Sequence, residues 1–557
     1  MLGIFFISAL FLLIFASAGR GLAMLLRVQV RNPFMLPLLG MFVFGLIGMA
    51  LALVGPLTVR ILLLCLTLCL PGGYLLFKSI RIFFLKNRKE TLCWLCVTFF
   101  ILALCAFATA FPLATAYDLD LYHIQIIRWL NEYGLVPGIG NLHSRLAIAS
   151  SWLTLAALIN HGPLNGSVPW LLTPMLLTSF IAYMLWEIRK GKYVWIQVYA
   201  CCLLPLGFIE LRIWAKPNLY FDAPALLMIC IVGCELLYFV FDKRKDILDS
   251  AIFAVICVTQ AFLMKPLALV GVFVVSVVVL FYTYTKGVKN VIYVFWLSCF
   301  AAIIWGYYHY VSSGWPFFPA TIFPFDVDWA MSEKALNSYT VAVRGWARWP
   351  ASGYQQAFAE GIAFWFPSWF AAHFGEISSR SLSMLLPLVV GTYFWVSTVS
   401  KLRGIQWVLL CWAVGSIVFW FWLAPDPRFG REFFWLYCAL GGVCWALHCQ
   451  EKRMLLLGSI TSQGFLRFYM AAVLCCMCFL ALKMHGDPGT LNWSYPGKVA
   501  ARPVKMTTIS AEPPFTIYVP ETGDQCGDAP LPCAPSKVQG LHMRETGNLA
   551  AGFKIEH

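Results

Sequence analysis

The sequence predicts an all-α integral membrane protein with about 14 transmembrane helices, interfacial helices at one membrane face and a short C-terminal tail on that same face. Three observations predict it. Hydrophobic residues make up 61% of the 557 positions and charged residues 12%, about half the charged share of a soluble domain. The mean hydropathy is +0.76. Apolar runs near spanning length recur along the chain, with basic clusters between them. So little charge cannot clothe a surface in water, and lipid is the expected solvent.

The runs lie near 2–19, 34–54, 57–77, 91–115, 168–188, 194–210, 221–241, 249–264, 267–284, 290–311, 382–400, 405–424, 433–449 and 464–483, each close to the roughly 20 residues a spanning helix needs. The first ends in Ala16-Ser17-Ala18, which is similar to a signal-peptidase site. No basic stretch precedes it, and cleavage would strand Arg20 to Arg31 on the wrong side, so a retained helix is expected. Three parts follow: residues 1–90 as accessory transmembrane helices, 91–483 as the transmembrane core with loops 116–167 and 312–381, and 484–557 as a tail.

The net charge of +14 follows from topology. Arg20, Arg27 and Arg31 form one basic group, and Lys78, Arg81, Lys86, Arg88 and Lys89 another. Arg189, Lys190 and Lys192, then Lys243 to Lys245, Lys286 and Lys289, Lys401 and Arg403, and Lys452 and Arg453 continue the series. Every second connection is basic, the pattern of loops left in the cytoplasm. Nucleic acid is not an expected partner, since its binding face would be one contiguous patch. The N-terminus, both long loops, the Arg212–Asp222 turn, Lys265, the Ala424–Glu432 turn and the tail then share the outer side, the periplasmic face of a bacterial inner membrane. The cytoplasmic connections are too short to hold a site.

Within 116–167, Leu119, Tyr122, Ile126, Leu130 and Tyr133 recur at helical spacing, with Asp120, His123, Gln125, Arg128, Asn131 and Glu132 off that stripe. This predicts a helix lying flat in the interface. The apolar stretch 146–158 is expected to return along the surface. Most of the 20 cysteines sit in apolar runs as small hydrophobes. Cys526 and Cys533 lie close together in a turn-rich external segment and are expected to form a disulfide.

The sharpest chemical feature is Tyr117-Asp118-Leu-Asp120-Leu-Tyr122-His123 at the end of an apolar run. One reading has Asp118 or Asp120 capping the following helix. The other has a carboxylate facing water or a cavity for a functional reason. Asp222, Lys265, Asp426, Arg428 and Arg431 stand at other helix edges on the same face. Each cation alone reads as a snorkelling anchor; together they suit a phosphate-bearing substrate. In the later loop, Gly314-Trp-Pro-Phe-Phe-Pro319 and Arg344-Gly-Trp-Ala-Arg348-Trp349 set aromatic rings beside arginines, as in sugar clefts and in interface belts. His123, His143 and His373 lack ligand spacing, so the histidines predict no metal site.

An external Asp closing a helix, an interfacial helix behind it, Asp222-Ala-Pro at a later helix start and an Arg on the same face resemble the type C (GT-C) glycosyltransferase fold. Protein mannosyltransferases, aminoarabinose transferases and oligosaccharyltransferases have that fold. Asp118 through Arg145, Gly314–Pro319, Ala424–Phe429 and Gly523–Cys533 are also similar to a little-characterised family of bacterial multi-span membrane proteins, over a range from about 91 to the C-terminus. The resemblance implies transfer of a sugar from a polyprenyl-phosphate donor to a glycan, lipid or protein acceptor at the periplasmic face, in cell-surface polysaccharide or lipopolysaccharide assembly. It implies Asp118 as the catalytic carboxylate with Asp120 second, and Lys265, Arg428 and Arg431 on the phosphate. Asp222 would shape the pocket, with Tyr122, His123, Glu132, His143, Arg145, Arg344, Arg348 and Asp426 as further substrate contacts. No cofactor is fixed by it, although the oligosaccharyltransferases use a divalent metal. Two alternatives stay open: an O-antigen polymerase or ligase, which would use Arg344, Arg348 and His373, and a non-catalytic transporter, flippase or assembly partner.

Overall fold

The computed structural model describes residues 2–110, 116–213, 218–242, 247–286, 292–349, 353–451, 464, 469–470, 472, 475, 505–511 and 515–556. Among these, 11 helices are long and apolar enough to cross a membrane, or 12 counting the bent pair Val59–Leu68 and Leu70–Lys86. The protein is therefore a helical multi-pass membrane protein. Leu248–Met264 is apolar but shorter than the others. Most of the run 464–483, the tail from 484 to 504, and Lys216, Lys243, Arg244, Lys245, Lys289, Lys452 and Arg453 lie outside the described residues.

The helices sort into a centre and a rim by how much of each is covered. Val168–Lys190 is wholly buried within the protein, and Asp222–Phe241 and Arg431–Glu451 nearly so, whereas Ile405–Leu423 is only 28% buried. A helix that is apolar all round can stand in either place, because lipid and protein cores accept the same side chains. Helix Asp222–Phe241 packs along Ile247–Met264, and Arg431–Glu451 packs against both Ser379–Thr398 and Val194–Ile213. At one face Asp222–Phe241 and Arg431–Glu451 begin and Ile247–Met264 ends beside Lys265, and that shared face is where the site forms.

Residues 1–90 pack directly on the rest. Leu2–Leu25 crosses Met35–Ala52 at Gly19 and Gly40, where an added Cβ would run into the backbone of Leu36 and of Phe15. Without a hydrophobic drive between helices in lipid, such small residues supply the close packing that joins them. Gly40→Val is expected to cost about 1–3 kcal/mol by overpacking and to lower the melting midpoint of the detergent-solubilised protein. Gly21→Val, with no atom within 4 Å of the new Cβ, should leave that midpoint unchanged.

The loops differ from the sequence expectation in two places. The stretch read as returning along the surface is instead the helix Ser151–Ile159, buried at every residue. Thr154 Oγ1 donates to the Gly45 carbonyl at 2.9 Å, and Gly45 and Gly48 have no room for a side chain against it. An element apolar on all sides needs packing on all sides, which a surface position would not give. The segment read as a flat interfacial helix is a π turn, Leu119–His123, running into Ile124–Glu132. Its apolar stripe is buried as far as Leu130, but so are Asp120, His123 and Gln125, because the tail covers Asp120 and Gln125 while Tyr220 and Phe221 enclose His123.

The described tail is not helical. Met506–Ala511 pairs antiparallel with Phe515–Pro520, and Leu541–Met543 with Phe553–Ile555. A disulfide joins Cys526 to Cys533. Gly527 N donates to the Asp120 carbonyl at 2.7 Å. Gln125 Nε2 donates to the Gly527 and Ala529 carbonyls at 3.0 Å each, and Tyr117 Oη to Asp524 at 2.5 Å. The second hairpin reaches the other loop: Phe553 N donates to Pro137 O at 3.0 Å, and Arg544 pairs with Asp328 at 2.9 Å. Both long loops and the described tail thus lie against one another on one face.

Candidate functional site

The site is assembled at three helix edges, and local sequence explains each. After Leu423, two prolines in Ala424-Pro-Asp-Pro-Arg428-Phe-Gly430 forbid further helix. Asp426 Oδ1 accepts the Arg428 N–H at 2.8 Å and caps a short turn over Pro427–Phe429, while Trp420 Nε1 donates to the Asp426 carbonyl at 2.8 Å. Gly430 lies so close under the Trp420 ring that a Cβ would collide with it. Arg428 is thereby set at a fixed place and angle. At the second edge Asp222 opens the helix Asp222–Phe241, where a carboxylate is favoured by the helix dipole. At the third, Pro266 breaks the chain after Met264 and leaves Lys265 in the bend.

Arg428 stands between two carboxylates. Its Nη1 donates to Asp118 Oδ2 at 3.0 Å, and its Nε lies 3.6 Å from Asp222 Oδ2. Asp222 also holds the Lys265 ammonium. Two rings back the cations: the guanidinium carbon sits 4.8 Å from the Tyr220 ring centre and 4.7 Å from that of Phe429, and Lys265 Nζ lies 3.7 Å from Phe429. Asp118 is 7% exposed and Asp222 4%. The capping role for Asp118 fails, since its side chain makes no cap hydrogen bond. Its carboxylate is directed to Arg428 instead.

Opposing influences act on Asp118. Burial by itself would raise its affinity for a proton, but Arg428, His123 and Arg145 outweigh this and hold its carboxyl below the usual range. The same burial lowers Lys265, partly offset by Asp222, whereas Arg428 is held above its ordinary value because the carboxylates outweigh desolvation. Arg145 lies 5.5 Å from the Tyr122 ring centre and within electrostatic range of Asp118, which helps raise it against burial.

His123 is fully enclosed, its ring 4.3 Å from Tyr122 and 5.9 Å from both Tyr220 and Phe221. Burial pushes its imidazole down to about 4 and that of His143 to about 3, from an unfolded value near 6.5. The unfolded chain therefore binds these protons more readily. The stability they contribute is complete above about pH 6.5 and is lost as pH falls towards 4. The melting midpoint is expected to drop on acidification from pH 7 to 5, and His123→Phe should flatten that slope. A midpoint independent of pH in this range would contradict the enclosed neutral imidazole.

The structure brings together Asp118, Asp222, Lys265, Asp426 and Arg428, with Tyr122, His123 and Arg145 beside them. The expected pairing of Asp118 with Asp120 is replaced by Asp118 with Asp222, both on Arg428. Side chains two residues apart on a helical turn point to nearly opposite sides, so Asp120 is turned away. Arg431 does not join the cluster either: it is 4% exposed and bonded to Glu210 at 2.8 Å inside the helix bundle. Glu132 pairs with Arg128 at 2.7 Å and lines a separate polar cleft with Asn160 and His161. Arg348 donates to the Ala357 and Phe358 carbonyls at 3.3 and 3.4 Å, bracing the later loop, and Arg344 lies one helical turn before it. Sequence reasoning gave no role to Tyr220, Phe429 and Glu210. The first two flank Asp222 and Arg428 and were findable as rings next to charges at a helix edge.

Among the described residues no three His, Cys, Asp or Glu side chains gather as metal ligands. Asp118 and Asp222 are already neutralised by Arg428 and Lys265, which would repel a divalent ion. The donor set therefore does not fit a metal.

Fold and site define a multi-pass helical membrane protein with a buried carboxylate and cation cluster at one face. The chain belongs to the family described as Domain of unknown function (DUF8201), whose model matches residues 1–435 and so takes in the first helices as well as Asp118, Asp222, Lys265 and Arg428. No curated protein and no solved structure matches it.

Proposed function

We propose that this protein transfers a sugar from a polyprenyl-phosphate donor to a glycan, lipid or protein acceptor at the periplasmic face of a bacterial inner membrane, in cell-surface polysaccharide or lipopolysaccharide assembly. The observation that carries the reading is Arg428 held between Asp118 and Asp222 beside Lys265, at the face where the spanning helices end. A lipid-linked phosphate would reach this face with its chain still in the bilayer. The resemblance to the type C glycosyltransferases rests on the same residues.

The chemistry follows from the charges. The acceptor hydroxyl attacks the anomeric carbon as the bond from that carbon to the phosphate oxygen breaks. The hydroxyl proton passes to Asp118, and the departing phosphate keeps the bonding electrons, its charge met by Arg428 and Lys265. Without donor, Arg428 is occupied by Asp118 and the carboxylate is a poor base. A phosphate competing for Arg428 loosens that ion pair, and the burial that already opposes the charged form then makes Asp118 a better proton acceptor. Donor binding would thus prepare the base.

The test uses farnesyl phosphate and farnesol as probes on the reconstituted protein. Loss of a charged hydrogen bond is worth about 1.5–3 kcal/mol, so Arg428→Gln should weaken farnesyl phosphate at least tenfold and leave farnesol unchanged. Equal affinity of wild type and variant for farnesyl phosphate would remove Arg428 as the phosphate partner.

A further inference from the structure

A second ligand-shaped feature lies near the opposite face, away from Asp118. It is a cavity of about 500 Å³ between the helices Leu2–Leu25, Leu70–Lys86, Arg88–Ala110 and Leu172–Lys190. Its walls are almost entirely apolar, and it opens to the lipid-facing surface through Leu13, Ile80, Leu95 and Phe99, which are 39–54% exposed. The charged groups are both at one end, where the wall includes Arg20, Arg31 and Thr91, and only the hydroxyls of Ser79, Thr98, Thr178 and Ser179 interrupt the rest.

The long dimension of the cavity can be read from the helices. It runs from Arg20 to Ala9 on one helix and from Thr91 to Leu102 on another, about 16 Å on each at 1.5 Å per residue. Half the hydrocarbon thickness of a bilayer is about 15 Å. The apolar slot therefore has the depth of one leaflet, with its charged end at the basic connections.

Of the two arginines at that end, Arg31 is already held by Glu235 at 3.1 Å and by Ser250 at 3.0 Å. The buried Nε of Arg20 meets no hydrogen-bond partner among the described residues. A guanidinium at the edge of a slot in the bilayer suits a phosphate on the headgroup of the molecule whose chain fills the slot. An Arg so placed would otherwise leave a buried donor unsatisfied.

We propose that this cavity is a binding site for one anionic phospholipid of the leaflet adjoining the basic loops, its acyl chain between Ala9, Leu102 and Thr98 and its phosphate on Arg20. The site is separate from the Asp118 cluster and stands whether or not sugar transfer is the activity. A bound lipid would join the first helices to Arg88–Ala110 and Leu172–Lys190, giving residues 1–90 a role in holding the bundle.

The test compares wild type, Arg20→Gln and Thr98→Phe, purified in mild detergent from membranes and read by native mass spectrometry with lipid extraction. Wild type should retain one phosphatidylglycerol or cardiolipin per chain. Arg20→Gln removes the charge, Thr98→Phe fills the slot, and each should lower occupancy at least fivefold. Phosphatidylglycerol carrying a diazirine in its acyl chain tests the unaltered protein as well, and its crosslinks should map to residues 9–20 and 91–102. Equal retention in all three proteins, crosslinks confined to other helices, or retention of a polyprenyl phosphate in place of phospholipid would each overturn the proposal. Loss with Arg20→Gln but not with Thr98→Phe would also overturn it, since charge alone would then be recruiting lipid.

Discussion

Asp118→Asn is expected to lower sugar transfer at least about a hundredfold, the smaller end of what a positioned general base contributes. The substitution keeps the shape of the side chain and one acceptor oxygen, so Arg428 retains a neutral partner at Asp118 and its contact with Asp222. What is lost is the ability to take a proton. The variant should therefore accumulate in membranes at the wild-type level, and its tail should still close the Cys526–Cys533 bond. Rates measured in membrane vesicles with added lipid-linked sugar check this. Wild-type rates in the variant would strike Asp118 from the mechanism, whereas loss of the protein itself would mark the ion pair as structural.

The largest stability effect is expected at Arg431→Met. Arg431 and Glu210 bond at 2.8 Å with side chains 5% and 0% exposed, and Glu432 is buried next to them. Removing one member of a buried ion pair costs about 3–5 kcal/mol, because the remaining charge stays out of water without its partner. Here two carboxylates would be left near each other. The melting midpoint and the yield of folded protein should fall sharply. Adding Glu210→Met to Arg431→Met should recover much of the loss, since replacing both members by apolar groups is often neutral. A single variant as stable as wild type would show that the pair is wet or dispensable.

Much of the architecture is legible in the sequence because lipid imposes a simple rule. A run of apolar residues near spanning length must become a helix to satisfy its own backbone. Eleven of the runs correspond to helices of spanning length, the run 57–77 to the bent pair Val59–Leu68 and Leu70–Lys86, and the run 249–264 to a shorter apolar helix. The site is legible residue by residue, since Asp118, Asp222, Lys265 and Arg428 are each conspicuous as charges at a helix edge. Their arrangement is not. Asp118 and Arg428 are 310 positions apart, and no local pattern says which edges meet. Adjacent charges in the sequence misled for the same reason: Asp120 reads as the natural companion of Asp118, and Arg431 of Arg428, yet helical geometry turns Asp120 away, and the chain breaks at Gly430 before Arg431 opens the next helix.

Periodicity fails in a second way around Leu119–Tyr133. An apolar stripe marks one buried face but is silent about what covers the other. Gln125 and Asp120 look like a solvated side until the tail's Gly527 and Ala529 are seen bonded to them. The tail itself holds a readable signal, the alternation in Phe515-Thr-Ile-Tyr-Val519 that marks a half-buried strand. Its many turn residues obscured that signal.

Mass analysis of surface glycans and lipopolysaccharide from a deletion strain bears most directly on sugar transfer by the Asp118 and Arg428 cluster. A species lighter by one sugar unit should appear in the deletion, return to full mass with the wild-type chain and stay light with Asp118→Asn expressed at the same level. An unchanged glycan profile in the deletion, or complete restoration by Asp118→Asn, would contradict the account.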